Sequence, residues 1–345
     1  MSPLRDHLLQ GCVIPALPLA LHEDGRWSER HQRALVRYYV EAGAGGLAVG
    51  VHSTQFEIRD PAHGLFEPVL ELAAREIDAG LAADPRPFAK VAGVCGAGDQ
   101  ARREAQCARD LGYDAALVSL TALRDAPEPD LAAHCRAVAD ILPIIGFYLQ
   151  PAVGGRRLGY GFWRDFCAIE NAVAIKIAPF NRYFTNDVAR AAIDSGRDDL
   201  ALYTGNDDNI IADLLTPFRF GGREIRIVGG LLGQWGVWTK AAVELLAALK
   251  AVAEGGLVHR EWLARNAELT DANAAIFDAA GGFAGCIPGI MEVLRRQRLV
   301  PSTRCLNPAE ALSPGQAEEI TRVSQAYPWL TDDAFVAENI DRWLA

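Results

Sequence analysis

Short apolar runs rich in β-branched residues alternate with longer amphipathic segments along most of the chain, and this alternation limits the folds open to it. Eight runs are typical of strands, at residues 12–19, 46–51, 88–94, 114–120, 143–149, 172–178, 200–205 and 225–231. Between them lie helical patterns such as 28–43 and 99–112, each beginning with a polar N-cap candidate and ending at glycine. The pattern predicts repeated βα units around a parallel sheet.

Eight βα units close naturally into a barrel, so the predicted fold class is α/β, a (β/α)8 TIM barrel with a C-terminal helical extension. The alternative is an open, doubly wound sheet that binds a dinucleotide. Its GxGxxG loop is missing, because the first βα turn has the sequence HEDGRWS. We expect a barrel catalytic domain over residues 1–255 and a helical region over residues 256–345.

Composition excludes several classes of partner. Acidic side chains outnumber basic ones 44 to 34, for a net charge of −10, which disfavours nucleic acid. Apolar runs fall short of the ~20 residues of a membrane span, and the N-terminal MSPLRDHLLQ has an acid where a signal peptide is apolar, so we expect a cytoplasmic protein. The seven cysteines form no CxxC and the seven histidines no HxH or HExxH, so we expect no metal.

Lysine is scarce in this chain, which contains Lys90, Lys176, Lys240 and Lys250 among 34 basic residues. The others are arginines, so a retained lysine in an apolar strand suggests chemistry that arginine cannot perform. Lys176 lies near the end of the sixth strand, on the expected face of Ala172, Ala174 and Ala178. Because an apolar setting lowers an amine pKa, we predict that Lys176 is a nucleophile toward carbonyls.

The alternative for Lys176 is a buried ion pair with Asp207 or Asp208. Lys90 serves as an internal comparison. Its position early in the third strand predicts that it lies at the amino-terminal end of the barrel, where residues serve stability.

Tyr148, in the neighbouring fifth strand, is predicted to point into the same barrel mouth as Lys176 and to transfer protons there. The alternative is a core tyrosine whose hydroxyl meets a backbone carbonyl.

Further substrate-binding candidates lie at other strand ends. The run Val51-His52-Ser53-Thr54-Gln55 offers hydroxyls and loop amides for a carboxylate, and His52 is also a candidate acid or base. A polar turn is the alternative for this run. Gly229 and Gly230, in the eighth strand, are predicted to let a ligand approach the backbone, although paired glycines also mark plain turns. Residues 181–183, just past the lysine, are candidates for recognising a second substrate.

These residues resemble the dihydrodipicolinate synthase / N-acetylneuraminate lyase family of pyruvate-dependent class I aldolases, over about residues 11–330. The resemblance rests on HEDG after the first strand, NAVAIKIAP with its lysine, FYLQP where the family commonly has YNxP, TGND at 204–207, and the helical ending GIMEVLRRQRLVPSTRCLNPAEALSPGQAEEI.

The resemblance implies a homo-oligomer, a tetramer or a dimer, that acts without metal or organic cofactor. Lys176 would form a Schiff base with pyruvate or a related 2-keto acid, Tyr148 would transfer protons, and Ser53 and Thr54 would hold the carboxylate. The second substrate would be an aldehyde or a sugar acid, and the reaction an aldol addition, a cleavage or a dehydration.

Departures from the family pattern argue against a true dihydrodipicolinate synthase. The GTTGE-type loop is rewritten as GVHSTQF, and Ala152-Val153-Gly154-Gly155 follows Pro151 where the synthase has an arginine soon after. Arg156 and Arg157 are the nearest substitutes. Two other functions stay open: a non-catalytic barrel that binds a keto acid, and a metal-assisted barrel hydrolase or isomerase using His52, Asp207 and Asp208.

Overall fold

The computed structural model describes residues 2–345, which form nine strands and thirteen α-helices. The strands are β1 (Val13–Pro15), β2 (Gly46–Val49), β3 (Ala89–Val94), β4 (Ala115–Val118), β5 (Ile144–Leu149), β6 (Ala172–Ala178), β7 (Ala201–Thr204), β8 (Pro217–Phe220) and β9 (Arg223–Leu232). The helices are α1 (Pro3–Gln10), α2 (Glu29–Glu41), α3 (Phe66–Ala83), α4 (Asp99–Asp110), α5 (Glu128–Ala139), α6 (Tyr160–Cys167), α7 (Arg182–Asp194), α8 (Ile210–Leu215), α9 (Thr239–Gly255), α10 (Glu261–Ile276), α11 (Cys286–Arg296), α12 (Gln316–Ala326) and α13 (Asp333–Trp343).

Eight parallel strands form the predicted (β/α)8 barrel. Their order is β1-β9-β7-β6-β5-β4-β3-β2, and a parallel bridge between Ala16 and Ala48 joins the two ends of this order. The barrel strands are largely buried, and each is followed by a helix, as a closed parallel sheet requires. The predicted fold class is therefore confirmed.

One strand was not predicted. β8 pairs antiparallel with β9 through Gly221 and Gly222, whose φ angles of +56° and +78° suit a two-residue hairpin turn. The hairpin also moves the start of β9 to Arg223, two residues before the predicted strand.

The amino-terminal end of the barrel is closed by α1. Leu8 of this helix is fully buried, and the Tyr203 hydroxyl donates to its carbonyl oxygen at 2.8 Å. Lys90, as expected, lies near this end, where its Nζ forms an ion pair with Asp78 at 2.9 Å. At this end the Tyr203 hydroxyl and the Lys90 amine are therefore both paired.

An irregularity at the start of β6 changes which side chains face the barrel interior. Ile144 pairs with Ala172 but Ile145 pairs with Ala174, so Val173 is an extra residue in β6. Val173 and Ala174 both lie in the interior cluster, whereas Ala172 belongs to the layer between strands and helices. The prediction that Ala172 shares the face of Lys176 is therefore wrong, while Ala174 and Ala178 do share it.

The C-terminal helices α10–α13 pack against the barrel. At one point Tyr38 of α2 lies 5.5 Å from Trp343 of α13 between ring centroids, and its hydroxyl donates to Asp332. The segment from the end of α10 to α11 reaches the carboxyl ends of the strands. The division of the chain at residue 255 stays a prediction. Across residues 2–345, no helix is both long and apolar enough to cross a membrane.

Candidate active site

A cavity opens at the carboxyl ends of the barrel strands, with about 640 Å³ of empty space including its mouth. This is the end at which barrel enzymes carry their active sites. The polar side chains that line it are His52, Ser53, Gln150, Lys176 and Asp207. Most of the remaining lining is apolar, contributed by the strands and by the segment from Phe277 to Ile290.

Lys176 projects from β6 into this cavity and is only 8% exposed. Gly205, just after β7, makes room for it, since a Cβ atom at Gly205 would lie 2.7 Å from Lys176 Cε. Its ammonium lies 4.4 Å from the centroid of the Phe147 ring, within cation–π range. Burial lowers the pKa of Lys176 to about 8, with the negative charge of Asp207 acting in the opposite direction. A substantial fraction of the amine is therefore neutral near pH 8.

Asp207 follows β7 and faces the same cavity. Its Oδ1 accepts a hydrogen bond from the Gln234 backbone N–H at 3.0 Å, and its own carbonyl oxygen accepts from Asn273 Nδ2 at 2.7 Å. Burial raises the pKa of Asp207 to about 7, while the Gln234 hydrogen bond and the Lys176 charge lower it. The carboxyl is thus held in place, and burial favours its neutral form more than in an exposed aspartate.

The Lys176 amine and the Asp207 carboxylate interact electrostatically without a direct ion pair. Within residues 2–345, no ion pair with an N–O distance of 4.0 Å or less joins these two side chains. Asp208, the other carboxylate considered for this role, pairs with Arg182 at 3.3 Å. The lysine therefore keeps an amine that a ligand can reach.

In the loop after β2, two residues face the cavity and a third supports the loop backbone. His52 and Ser53 line the cavity, within a 3-10 turn over His52–Thr54. Burial, and to a lesser extent the Lys176 charge, lower the pKa of His52 to about 4, so its ring is neutral at pH 7. Thr54 is fully buried, and its hydroxyl donates to the Leu17 carbonyl at 2.6 Å.

Thr54 also accepts hydrogen bonds from the backbone N–H groups of Gly50 and Val51. Its hydroxyl is therefore fully used in shaping the loop, and the prediction that it touches the substrate is wrong. The Ser53 hydroxyl donates to the same Leu17 carbonyl at a longer 3.3 Å. Binding of a carboxylate by His52 and Ser53 stays a prediction.

Tyr148 does not point into the barrel mouth, so the prediction that it transfers protons beside Lys176 is wrong. Phe147 is the residue of β5 that pairs with Lys176 in the sheet, and residues paired in this way share a face. Tyr148 therefore points outward and packs on Trp163 and Phe184 at 5.3 and 6.0 Å.

The Tyr148 hydroxyl donates to the Leu158 carbonyl at 3.1 Å and accepts from the Leu158 N–H at 3.2 Å. This is the core tyrosine of the alternative interpretation. Gly146 lies on the same face of β5 as Tyr148, and its lack of a side chain marks that face as the one packed on the helices, because a Cβ there would lie 2.8 Å from the Phe166 ring. The sequence pattern gave the correct alternation of side chains but not which set faced inward.

The Gly229 and Gly230 predictions are also wrong. A Cβ at Gly229 would lie 2.6 Å from the Cys12 carbonyl oxygen, and one at Gly230 would lie 2.6 Å from the Trp235 ring. Both glycines allow close packing inside the protein. Gly233, three residues further on, is the glycine of this segment that lines the cavity.

The candidates for recognising a second substrate, residues 181–183, lie outside the cavity lining. Asn181 accepts hydrogen bonds from the backbone at the start of α7, Arg182 pairs with Asp213, and Tyr183 is 82% exposed. Phe180, immediately before them, does line the cavity. Its role was not predicted, nor were those of the residues after the barrel, because contacts between distant segments leave no local pattern.

Within residues 2–345, no group of three or more His, Cys, Asp or Glu side chains is arranged to hold a metal ion. The metal-assisted alternative named His52, Asp207 and Asp208, but Asp208 pairs with Arg182 instead of facing the cavity. These three residues are therefore not arranged as one ligand set.

The fold is shared with several solved structures. A dihydrodipicolinate synthase from Aquifex aeolicus is 18% identical, with a TM-score of 0.71 over 93% of this chain and 99% of that one. N-acetylneuraminate lyase from Fusobacterium nucleatum is 16% identical, with a TM-score of 0.71 over 92% and 99%. A prophage protein of the dihydrodipicolinic acid synthase family from E. coli K12, solved in complex with pyruvate, is 19% identical, with a TM-score of 0.71 over 91% and 97%.

No family model and no curated protein sequence matches the chain. The structural likeness therefore confirms the fold that the sequence motifs suggested, at an identity where function has to be argued from the site itself.

Proposed function

We propose that this protein is a lyase of the dihydrodipicolinate synthase / N-acetylneuraminate lyase type, in which Lys176 forms a Schiff base with a 2-keto acid. The observation that carries the proposal is the buried amine of Lys176 in the barrel mouth, with its pKa lowered to about 8 by burial. An amine in this state attacks carbonyl carbon readily, which is the usual role of a desolvated lysine. The likeness in fold to lyases supports the same assignment.

The chemistry follows from that amine. Lys176 Nζ attacks the C2 carbonyl carbon of the keto acid, and loss of one water from the carbinolamine gives the imine. Removal of a proton from C3 then gives an enamine, whose C3 forms a bond to an aldehyde carbon; cleavage is the reverse. Water finally hydrolyses the imine and releases Lys176. The substrate carboxylate would lie at the His52–Thr54 turn, where free N–H groups at a helix start and the Ser53 hydroxyl suit an anion.

Proton transfer in this scheme is assigned to Asp207. It shares the cavity with Lys176, and a carboxyl whose pKa is about 7 can both give and take a proton near neutral pH. The Gln234 N–H fixes one of its oxygens, which orients the other. This role replaces the one expected of Tyr148, whose hydroxyl is bound to Leu158 outside the barrel.

Recognition of a second carboxylate, as in a true dihydrodipicolinate synthase, is not part of the proposal. Arg156 donates to the backbone carbonyls of Arg124 and Ala126, and the Arg157 guanidinium lies over the Phe184 ring. Neither is among the described residues that line the cavity. The homo-oligomeric state and the cytoplasmic location stay predictions.

A second candidate function is a barrel that binds a keto acid without turnover. One observation favours it, namely that Phe147 occupies the β5 position beside Lys176, so the phenol expected there is absent from the described lining. A protein of this kind would bind keto acids and release them unchanged.

Borohydride trapping with pyruvate, followed by peptide mass mapping, tests the proposal. We expect a reduced adduct on Lys176 that disappears in a Lys176→Ala variant. The absence of an adduct with pyruvate and with longer keto acids would contradict the Schiff-base assignment. An adduct without C–C cleavage, addition or dehydration of any substrate would favour the binding protein.

A further inference from the structure

The cavity wall around Lys176 is aromatic. Phe147 comes from β5, Phe180 follows β6, and Phe277 and Phe283 come from the segment between α10 and α11. We call these four side chains the aromatic wall. Four phenyl rings drawn from three separate parts of the chain converge on one space, so the apolar character belongs to the cavity as a whole.

Two members of the aromatic wall have a backbone conformation that phenylalanine seldom adopts. Phe180 has φ +51° and Phe283 has φ +70°, both in the left-handed region that favours glycine. Their rings nevertheless meet at 6.1 Å between centroids, at an interplanar angle of 75°. Such strained conformations concentrate at ligand-binding sites.

Hydrogen bonds hold these two backbones in place. The Phe180 N–H donates to Asn206 Oδ1 at 2.9 Å, and Asn206 is fully buried. The Phe283 N–H donates to the Asp278 carbonyl at 2.9 Å, while the Asp278 carboxylate accepts from the Gly285 N–H and the Ser313 hydroxyl. The backbone positions that carry these two rings are therefore held by hydrogen bonds within the protein itself.

Few charged or hydroxyl groups accompany the aromatic wall. Of the described lining residues, Lys176 and Asp207 are the charged side chains and Ser53 carries the hydroxyl. The proposed Schiff base uses Lys176, proton transfer uses Asp207, and the keto-acid carboxylate uses Ser53. His52 and Gln150 are the other polar side chains of the lining. A sugar acid would bring more hydroxyl groups than these two can pair, and the unpaired ones would lose hydration without gaining a partner.

We propose that the part of the substrate beyond the reacting carbons is apolar and aromatic, so that the aldehyde added to or released from the pyruvate unit is an aryl aldehyde. In the addition, enamine C3 forms a bond to the aldehyde carbon, the aldehyde oxygen takes a proton from Asp207, and water hydrolyses the resulting imine. The reaction part of this inference rests on the proposed function. The preference for binding an aromatic group does not depend on it.

The binding preference is tested with two carboxylates that cannot form a Schiff base, cinnamate and gluconate. In calorimetric titrations of the full chain we expect cinnamate to bind at least about tenfold more tightly than gluconate, the effect of a favourable aromatic contact. Equal binding, or tighter binding of gluconate, would overturn the inference.

The Phe283→Gly variant links the preference to the aromatic wall. Glycine accepts the φ of +70°, so the ring is removed without a new backbone strain. We expect cinnamate affinity to fall about tenfold. The matched control is Arg298→Gly, a position with φ +65° outside the cavity lining, which should leave the affinity unchanged. Unchanged cinnamate binding in Phe283→Gly would exclude the aromatic wall as the site.

Turnover separates this inference from the proposed function. With pyruvate we expect faster aldol addition to benzaldehyde than to glyceraldehyde. A Lys176 adduct with a preference for glyceraldehyde would overturn the aryl assignment and leave the Schiff-base lyase intact. Cinnamate binding without any Lys176 adduct would support the aromatic site and contradict the lyase.

Discussion

The two ends of the barrel are built from the same parallel strands but differ in how their polar groups are satisfied. At the amino-terminal end, Tyr203 donates to the Leu8 carbonyl and Lys90 pairs with Asp78. At the carboxyl end, Lys176 and Asp207 face a cavity without a direct ion pair between them. Burial moves the pKa of each of these two groups toward neutrality. The comparison shows that the incompletely paired buried groups lie at the carboxyl end, which is the pattern expected of a functional site.

The lysines at the two ends should give the largest contrast. We expect Lys176→Met, which keeps the side-chain volume but removes the amine, to abolish the borohydride adduct and turnover. Lys90→Met should keep both and lose at most about 1 kcal/mol of stability, since the carboxylate of its partner Asp78 is largely exposed. Mass mapping and thermal unfolding of both variants measure this. An adduct that persists in Lys176→Met would mean that another nucleophile carries the chemistry.

The two neighbouring aspartates after β7 give the next contrast. Asp207→Asn should slow turnover by about 100-fold or more while the adduct with pyruvate still forms, because proton transfer is lost and imine formation is not. Asp208→Asn, which removes a carboxylate paired with Arg182, should change kcat by less than about threefold. Equal losses in the two variants would point to a general electrostatic effect instead of proton transfer by Asp207.

The pH dependence of adduct formation tests the charge coupling at the carboxyl end. Since the neutral amine attacks, the rate should rise with pH and level off above about 8, the pKa of Lys176. The negative charge of Asp207 raises that pKa, so Asp207→Asn should move the midpoint to lower pH. Stopped-flow trapping between pH 6 and pH 10 would measure it. A midpoint that moves to higher pH would contradict the proposed coupling.

Two tyrosine hydroxyls provide the smallest effects. Tyr203→Phe at the closed end should cost about 0.5–1.5 kcal/mol of unfolding free energy, because the Leu8 carbonyl loses the tyrosine donor and keeps the Gly11 N–H. Tyr148→Phe should cost a similar amount through the Leu158 backbone. Urea unfolding measures both, and neither variant should change turnover. A large loss of kcat in Tyr148→Phe alone would restore this residue to the reaction and contradict its outward orientation.

The sequence determined the barrel and the position of its nucleophile candidate. Period-2 apolar runs and amphipathic segments are local properties, so all eight barrel strands could be predicted, and Lys176 could be located near a strand end. The comparison of Lys176 with Lys90 also followed from where each lies within its strand. These features depend on neighbours within a few residues.

The direction in which Tyr148 points was decided by tertiary structure alone. Alternation along β5 leaves two possible faces, and pairing with β6 across an irregularity at Val173 selects the one that brings Phe147 to Lys176. The glycines at 229 and 230 were misassigned for a related reason, since their missing side chains are filled by Cys12 and Trp235 from other parts of the chain.

The apolar character of the cavity was decided at the same level. Phe180 comes from the barrel and Phe283 from more than 100 positions further along the chain, and they meet only when the helices after the barrel fold over its mouth. Local sequence pattern thus determines the strands and helices and the position of the candidate nucleophile. The surroundings that set its pKa and its ligand arise from contacts between distant segments, which no local period encodes.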